Sequence, residues 1–147
     1  MKHHKFRKII PLLIACIFLA GCPKDPYRAA IQGSDTVAQS VKSAIDIAVD
    51  VHAAGLISDN EFGSTLHIVD YFNTVNAEFL SAVKQIHASG ETGPAKYLET
   101  AAIMVDKAQR LSSGGFPGIS NDKVRTALLT IKTAIDGVAL SIQKARQ

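Results

Sequence analysis

The chain has 147 residues, enough for a single globular domain with a modest hydrophobic core. Its formal net charge is +3, from 16 basic and 13 acidic residues. Four of the basic residues stand within the first eight positions, so the rest of the chain is close to neutral and slightly acidic. Because that part has no basic excess, the composition argues against nucleic-acid binding.

The first 22 residues have the organisation of a secretory signal peptide. A basic start, MKHHKFRK, precedes a 13-residue apolar run from Ile9 to Gly21 that ends in small residues. A membrane-spanning helix needs roughly 20 apolar residues, and this shorter run also contains a proline. We therefore expect an exported protein whose leader is removed.

The end of the leader carries a more specific signal. The stretch Leu19-Ala20-Gly21-Cys22 resembles the lipobox of bacterial lipoproteins, whose cysteine is thioether-linked to diacylglycerol. The resemblance implies cleavage between Gly21 and Cys22, and attachment of Cys22 to the bilayer through acyl chains such as palmitate. It covers only these 22 residues. The alternative is an ordinary signal peptide that happens to end beside a cysteine.

Lipidation would decide both location and thiol chemistry. Two or more acyl chains anchor a protein stably. Pro23 rather than Asp follows the cysteine, which by resemblance to the sorting rule of enteric bacteria implies the periplasmic face of an outer membrane, where the organism has one. Cys16 lies in the removed segment and Cys22 carries lipid, so the mature chain would have no thiol for disulfides, metal sites or catalysis.

The chain divides into three parts. We expect a cleaved signal peptide at residues 1–21, a lipidated tether at residues 22–26 and a helical bundle domain at residues 27–147. Such a tether spans at most about 15 Å, so the domain would sit close to the headgroups. Lys24, Arg28, Lys144 and Arg146 would then gather near the bilayer, either as headgroup contacts or as ordinary solvated chain ends.

The first predicted helix begins with Asp25 as N-cap and Pro26 as its first residue, and it stops at Gly55. The Gly33-Ser34 pair weakens its start, so an alternative start is Ser34. Apolar residues recur at helical spacing along it: Ile31, Val37, Ala38, Val41, Ala44, Ile45, Ala48 and Val51.

The second predicted helix follows Ser58 and runs to about Ser89, where Gly90 ends it. Ser58 and Glu61 have the spacing of a capping box. Its apolar face is wider than packing against one neighbouring helix requires. Either this helix is the most buried of the four, or part of the face is free to bind a partner. That face comprises Phe62, Leu66, Ile68, Val69, Tyr71, Phe72, Val75, Phe79, Leu80, Ala82, Val83 and Ile86.

Two further helices complete the prediction. The third spans about Ala95 to Leu111, and the glycine-rich stretch SSGGFPGIS follows it. The fourth is predicted to begin after Ser120 as its cap. Because short connections make sequential helices antiparallel, we expect an all-α, antiparallel up-down four-helix bundle.

The short third helix leaves about 15 Å of the bundle without a fourth wall. Phe116, in the loop that follows, either folds down over this gap or presents itself as a recognition aromatic. The favoured interpretation is that it covers the gap.

No sequence motif indicates catalysis. The chain has no Glu-x-x-His, His-Glu-x-x-His, phosphate-binding loop or Gly-x-Ser-x-Gly. Asp46, Asp50, His67 and Asp70 form the one candidate polar cluster and are interpreted as solvated surface. His52 and His87 are placed at opposite ends of the first helical hairpin and so cannot share a metal. We expect no enzyme activity, no cofactor and no metal.

The leading functional hypothesis is a non-catalytic binding or scaffold role for a protein partner. The partner would dock on the distal tip, with Leu56, Ile57 and Phe116 as candidate contacts, or on the face of the second helix. The alternative is a carrier of an apolar small ligand in the bundle core.

The lipobox is tested by replacing its cysteine. Cys22→Ser removes the acyl acceptor, so the precursor should stay uncleaved and unacylated in cells, as seen by gel mobility and palmitate labelling. Cys16→Ser serves as the matched control and should be processed normally. Cleavage of the Cys22→Ser precursor at an ordinary site would refute the lipobox interpretation.

Overall fold

The computed structural model describes residues 24–145, which form four α-helices and contain no β-strand. The predicted signal peptide, Cys22, Pro23 and Arg146 lie outside the described residues. The helices are α1 (Pro26–Ala53), α2 (Asp59–Ala88), α3 (Pro94–Ser112) and α4 (Asp122–Lys144).

The helices form an antiparallel up-down bundle. Helix α1 packs against α2 and α4, and α3 closes the ring by packing against the same two helices, while the diagonal pairs touch least. The predicted fold class is therefore confirmed. One apolar face of each helix enters the core, whose largest fully buried side chains include Phe72, Tyr97, Met104, Leu128, Ile131, Ile135 and Ile142.

Helix α1 begins where the local signals predicted. The Asp25 side chain accepts a hydrogen bond from the Tyr27 backbone N–H at 3.0 Å, and Pro26 occupies the first turn, where its missing N–H costs nothing. The helix continues unbroken through Gly33 and Ser34, so the alternative start at Ser34 is wrong.

Gly33 has a packing role on the side of α1 that meets α4. A Cβ atom added there would lie 3.1 Å from both methyl carbons of Val138, which is closer than ordinary van der Waals contact. The glycine therefore permits a close approach of the two helices. The gain in packing offsets the poor helix propensity of glycine.

A buried amide links α1 to α2. Asn76 is 5% exposed, and its Nδ2 donates a hydrogen bond to the Ser34 carbonyl oxygen at 3.1 Å. A polar group buried in a core costs free energy unless it is paired, so this bond favours one register of the two helices.

Helix α4 begins one residue later than predicted. Asn121, not Ser120, is its N-cap, and the Asn121 Oδ1 accepts hydrogen bonds from the N–H groups of Lys123 and Val124 at 3.0 and 3.3 Å. The Ser120 hydroxyl is not available as a cap because it donates to Glu61 on α2 at 2.9 Å. The tertiary hydrogen bond to Glu61 therefore occupies the hydroxyl group that the sequence predicted as the N-cap.

The loop between α3 and α4 closes the gap that short α3 leaves. Phe116 and Ile119 are 6% and 4% exposed, and the Phe116 ring meets Phe72 edge-on with 6.4 Å between ring centroids. Gly115 and Gly118 have φ angles of +74° and +81°, which let the chain fold back sharply. The interpretation of Phe116 as a cover is confirmed.

Within residues 24–145, none of the helices combines the length and the apolar character that a bilayer crossing requires.

The close approach at Gly33 is tested against a matched glycine on α4. Gly137→Ala should stabilise the protein by about 1 kcal/mol, because alanine favours helix and the new Cβ meets no atom within 4 Å. Gly33→Ala should gain less or lose stability, because its Cβ presses on Val138. Urea unfolding followed by circular dichroism measures both, and equal gains would contradict the proposed packing.

Candidate interaction surface

The tip of the bundle does not present the three candidate contact residues together. Leu56 is 60% exposed where the chain leaves α1, but Ile57 and Phe116 are only 7% and 6% exposed. Both buried residues belong to the core, so a partner could not touch them without rearranging the tip. Of the three candidate contacts only Leu56 is accessible in this structure, and docking of a partner at the tip stays a prediction.

Glu61 keeps the tip closed. Its Oε1 accepts hydrogen bonds from the backbone N–H groups of Ser120 and Asn121 at 2.7 and 2.8 Å, and its Oε2 accepts one from the Ser120 hydroxyl at 2.9 Å. The carboxylate thus ties α2 to the start of α4, where the helix dipole favours a negative charge. Arg125 braces the same loop by donating to the Ile119 carbonyl oxygen at 2.9 Å.

These bonds favour the ionised carboxylate. The pKa of Glu61 is lowered, chiefly by the hydrogen bond from the Asn121 N–H, although burial acts in the opposite direction. The Ser120 hydroxyl and N–H and the nearby Arg125 charge lower the pKa further. The capping box is therefore only half formed: the Ser58 Oγ accepts from the Glu61 N–H at 3.2 Å, but the Glu61 side chain serves the other helix.

The histidines near the apolar faces are engaged by aromatic rings. His87 stacks on Tyr27 with 3.8 Å between ring centroids, and His52 stacks on Phe62 at 4.3 Å. The His52 Nε2 lies 2.8 Å from the Asp59 Oδ1. Among residues 24–145 no group of three potential ligands is arranged to hold a metal ion.

The candidate polar cluster is exposed, as predicted from helical projection. Asp46, Asp50, His67 and Asp70 are all solvent-accessible. The Asp46 Oδ2 accepts a hydrogen bond from the Lys42 Nζ at 2.8 Å. Asp70 lines a groove between α1 and α2.

This α1–α2 groove is a surface recess between two neighbouring helices. It has a volume of about 410 Å³, and its lining is mainly apolar: Ala38, Val41, Lys42, Ile45, Leu66, Val69, Asp70 and Asn73. Ile45 and Leu66 belong to the apolar stripes read from the sequence, yet both are 37% exposed. Val49, one turn beyond Ile45, is 45% exposed. The groove therefore carries apolar surface that the bundle leaves uncovered.

A smaller groove of about 220 Å³ lies between α2 and α3. Ile103 on its wall is 54% exposed. The Lys107 Nζ and Glu78 Oε2, which also line it, form an ion pair at 2.5 Å, so their charges cancel. The hydrogen bond to Glu78 raises the pKa of Lys107.

The interior of the bundle is filled by its own side chains. Phe72, Tyr97, Met104 and Leu128 are at most 2% exposed, and both recesses open to the surface rather than lying within the core. The α1–α2 groove is therefore the better candidate for an interaction site.

Comparisons with protein-family models, with curated proteins and with solved structures find no match to this chain. The chemistry of the surface is therefore the basis for a functional assignment.

The Glu61 contact is tested through its pH dependence. Glu61→Gln weakens three charge-assisted hydrogen bonds and should lower the free energy of unfolding at pH 7 by about 2 kcal/mol. Because the folded-state pKa is lowered, the stabilisation is present above the ordinary value near 4.5 and is lost as the pH falls through the folded pKa. The variant should lack this part of the acid dependence.

The control for that measurement is Glu99→Gln, which changes an exposed carboxylate on α3. It should alter stability by no more than about 0.5 kcal/mol. Urea unfolding at pH 7 and pH 3.5 measures both variants. Equal effects at the two positions would show that Glu61 does not hold the tip.

Proposed function

We propose that this protein is a lipoprotein anchored through acylated Cys22 outside the cytoplasmic membrane, and that its bundle is a non-catalytic docking module for a protein partner. The lipobox resemblance supports the anchor. Pro23 supports the periplasmic face of an outer membrane, where the organism has one. The folded domain begins only four residues after Cys22, so it would stand next to the bilayer.

The observation that carries the docking role is the run of exposed apolar side chains along the α1–α2 groove. Ile45 and Leu66, which line the groove from adjacent helices, are both 37% exposed, and Val49, one turn beyond Ile45 on α1, is 45% exposed. Contiguous apolar surface rimmed by polar groups is typical of protein interaction sites. Single exposed apolar residues such as Leu140 need no such explanation.

The groove is placed where a partner could reach it. Ala38, at one end, lies 12 residues after Pro26, which corresponds to about 18 Å along the helix axis. A partner can thus bind the groove without entering the headgroup region, while the anchor holds the complex at the membrane.

The alternative role as a ligand carrier, and an enzymatic role, have less support. A carrier of an apolar ligand in the core would have to displace side chains that already fill it. An enzyme would need groups positioned for chemistry, and Asp46 is engaged by Lys42 in an exposed ion pair whose side chains are 61% and 78% accessible.

The docking role is tested by site-specific photocrosslinking of the full-length protein in intact cells. A photoreactive residue at position 66 should give a discrete adduct with another protein. The same residue at position 140, which is 59% exposed on α4, is the matched control and should give none. Adducts of equal yield at both positions, or none at position 66, would contradict docking at this groove.

A further inference from the structure

The charges around the α1–α2 groove complement one class of partner, and we propose that this groove binds a basic amphipathic helix of a partner protein. The inference rests on the proposed docking function and specifies the partner's chemistry. The inference rests on three features: the apolar floor of the groove, the acidic excess of the α1–α2 side of the bundle, and a groove length that suits a short helix.

The floor of the groove is apolar and layered. Val41 and Val69 form its base and are 6% and 2% exposed. Ile45 and Leu66 form its sides and are each 37% exposed. A helix that places apolar residues at i, i+3, i+4 and i+7 would cover these side chains, which is the usual mode of helix-in-groove recognition.

The half of the chain that forms α1 and α2 has an acidic excess. Residues 24–90, which contain α1 and α2, have eight acidic and four basic residues. Residues 91–145, which contain α3 and α4, have five acidic and seven basic residues. One half of the bundle is thus negative and the other positive.

Asp70, the acidic residue that lines the groove, is not neutralised by a neighbour. Within residues 24–145, no cationic group lies within 4.0 Å of its carboxylate. Lys42, the cation that lines the groove, is already paired with Asp46 at 2.8 Å. Lysine or arginine on an incoming helix would meet the Asp70 carboxylate at the side of the groove.

The length of the groove also suits a short helix. From Ala38 to Ile45 the α1 side of the groove extends seven residues, or about 10 Å, which is two helical turns. The α2–α3 groove has no charge preference for a basic partner, because its charged residues Glu78 and Lys107 neutralise one another.

The charge pattern argues against a symmetric pairing of two α1–α2 faces, because both carry the same negative charge and would repel one another. It also argues against anionic lipid headgroups, which the same face would repel. A positively charged protein segment is the occupant that the acidic side of the bundle attracts.

The test uses the full-length lipoprotein in nanodiscs of neutral phosphatidylcholine, with empty nanodiscs subtracted. The probe is a fluorescent 18-residue leucine–lysine peptide patterned as an amphipathic helix, and its twin carries glutamate for lysine. Fluorescence anisotropy should show binding of the lysine peptide but not the glutamate peptide. Raising the salt concentration should weaken the binding, because screening reduces the attraction.

Substitutions in the groove test whether the lysine peptide binds there. Leu66→Lys should weaken it about tenfold, and Asp70→Lys and the milder Asp70→Asn should weaken it several-fold. The matched controls, Leu140→Lys on α4 and Glu99→Lys on α3, make the same chemical changes at exposed positions away from the groove and should leave affinity within twofold. Circular dichroism confirms that each variant is folded.

Several results would overturn the inference. Equal effects of Asp70→Lys and Glu99→Lys would mean a general charge attraction, and equal binding of the glutamate peptide would remove the charge preference. An adduct from position 66 in cells that joins two copies of this chain would identify the occupant as a second copy. An adduct with another protein, but no binding of the lysine peptide, would leave the docking function standing and reject this partner chemistry.

Discussion

The hydrogen bonds from Ser120 and Asn121 to the Glu61 carboxylate are the contact on which the tip of the bundle depends. Helix α3 has 19 residues and α2 has 30, so the far end of the bundle lacks a fourth helix. A loop rich in glycine must fill that space although ordering it costs conformational entropy. The Glu61 carboxylate binds the loop at the point where it enters α4. Because the loop is held there, Phe116 and Ile119 remain in the core.

Because Ile57 and Phe116 at the tip are buried, the accessible apolar surface considered for docking lies on the side of the bundle. Helix α1 meets the core largely through small residues, and Gly33 brings it against Val138 of α4. Its larger residue Ile45 lines the groove against α2 and is 37% exposed, and Val49, one turn further along α1, is 45% exposed. The close packing of α1 against α4 is therefore also what leaves the groove between α1 and α2 uncovered. The docking proposal is based on this packing and not on a sequence motif.

Local signals were sufficient for the helices and the fold class. The caps Asp25 and Ser58 were identified from sequence because each acts within its own first turn. Ser120 was wrongly predicted as the cap of α4 because its hydroxyl is used by Glu61, which is 59 residues away. A local N-cap signal in the sequence gives no information about such a distant hydrogen-bond partner.

The candidate surface was harder to foresee. Ile45 and Leu66 satisfy the periodicity of a buried stripe, but periodicity does not state how much of a stripe the neighbouring helix covers. The width of the apolar face on α2 was the one sequence signal for uncovered surface. The lipobox lies outside the described residues, so the lipid anchor stays a prediction.

Amide hydrogen exchange at Ser120 and Asn121 in the full-length protein is the most direct measurement of the central claim. Both N–H groups donate to the Glu61 carboxylate, so they should exchange as slowly as amides inside α4. Exchange at the rate of an unstructured chain would show that the loop is not held, that Phe116 is free to leave the core, and that the tip rather than the groove is available to a partner.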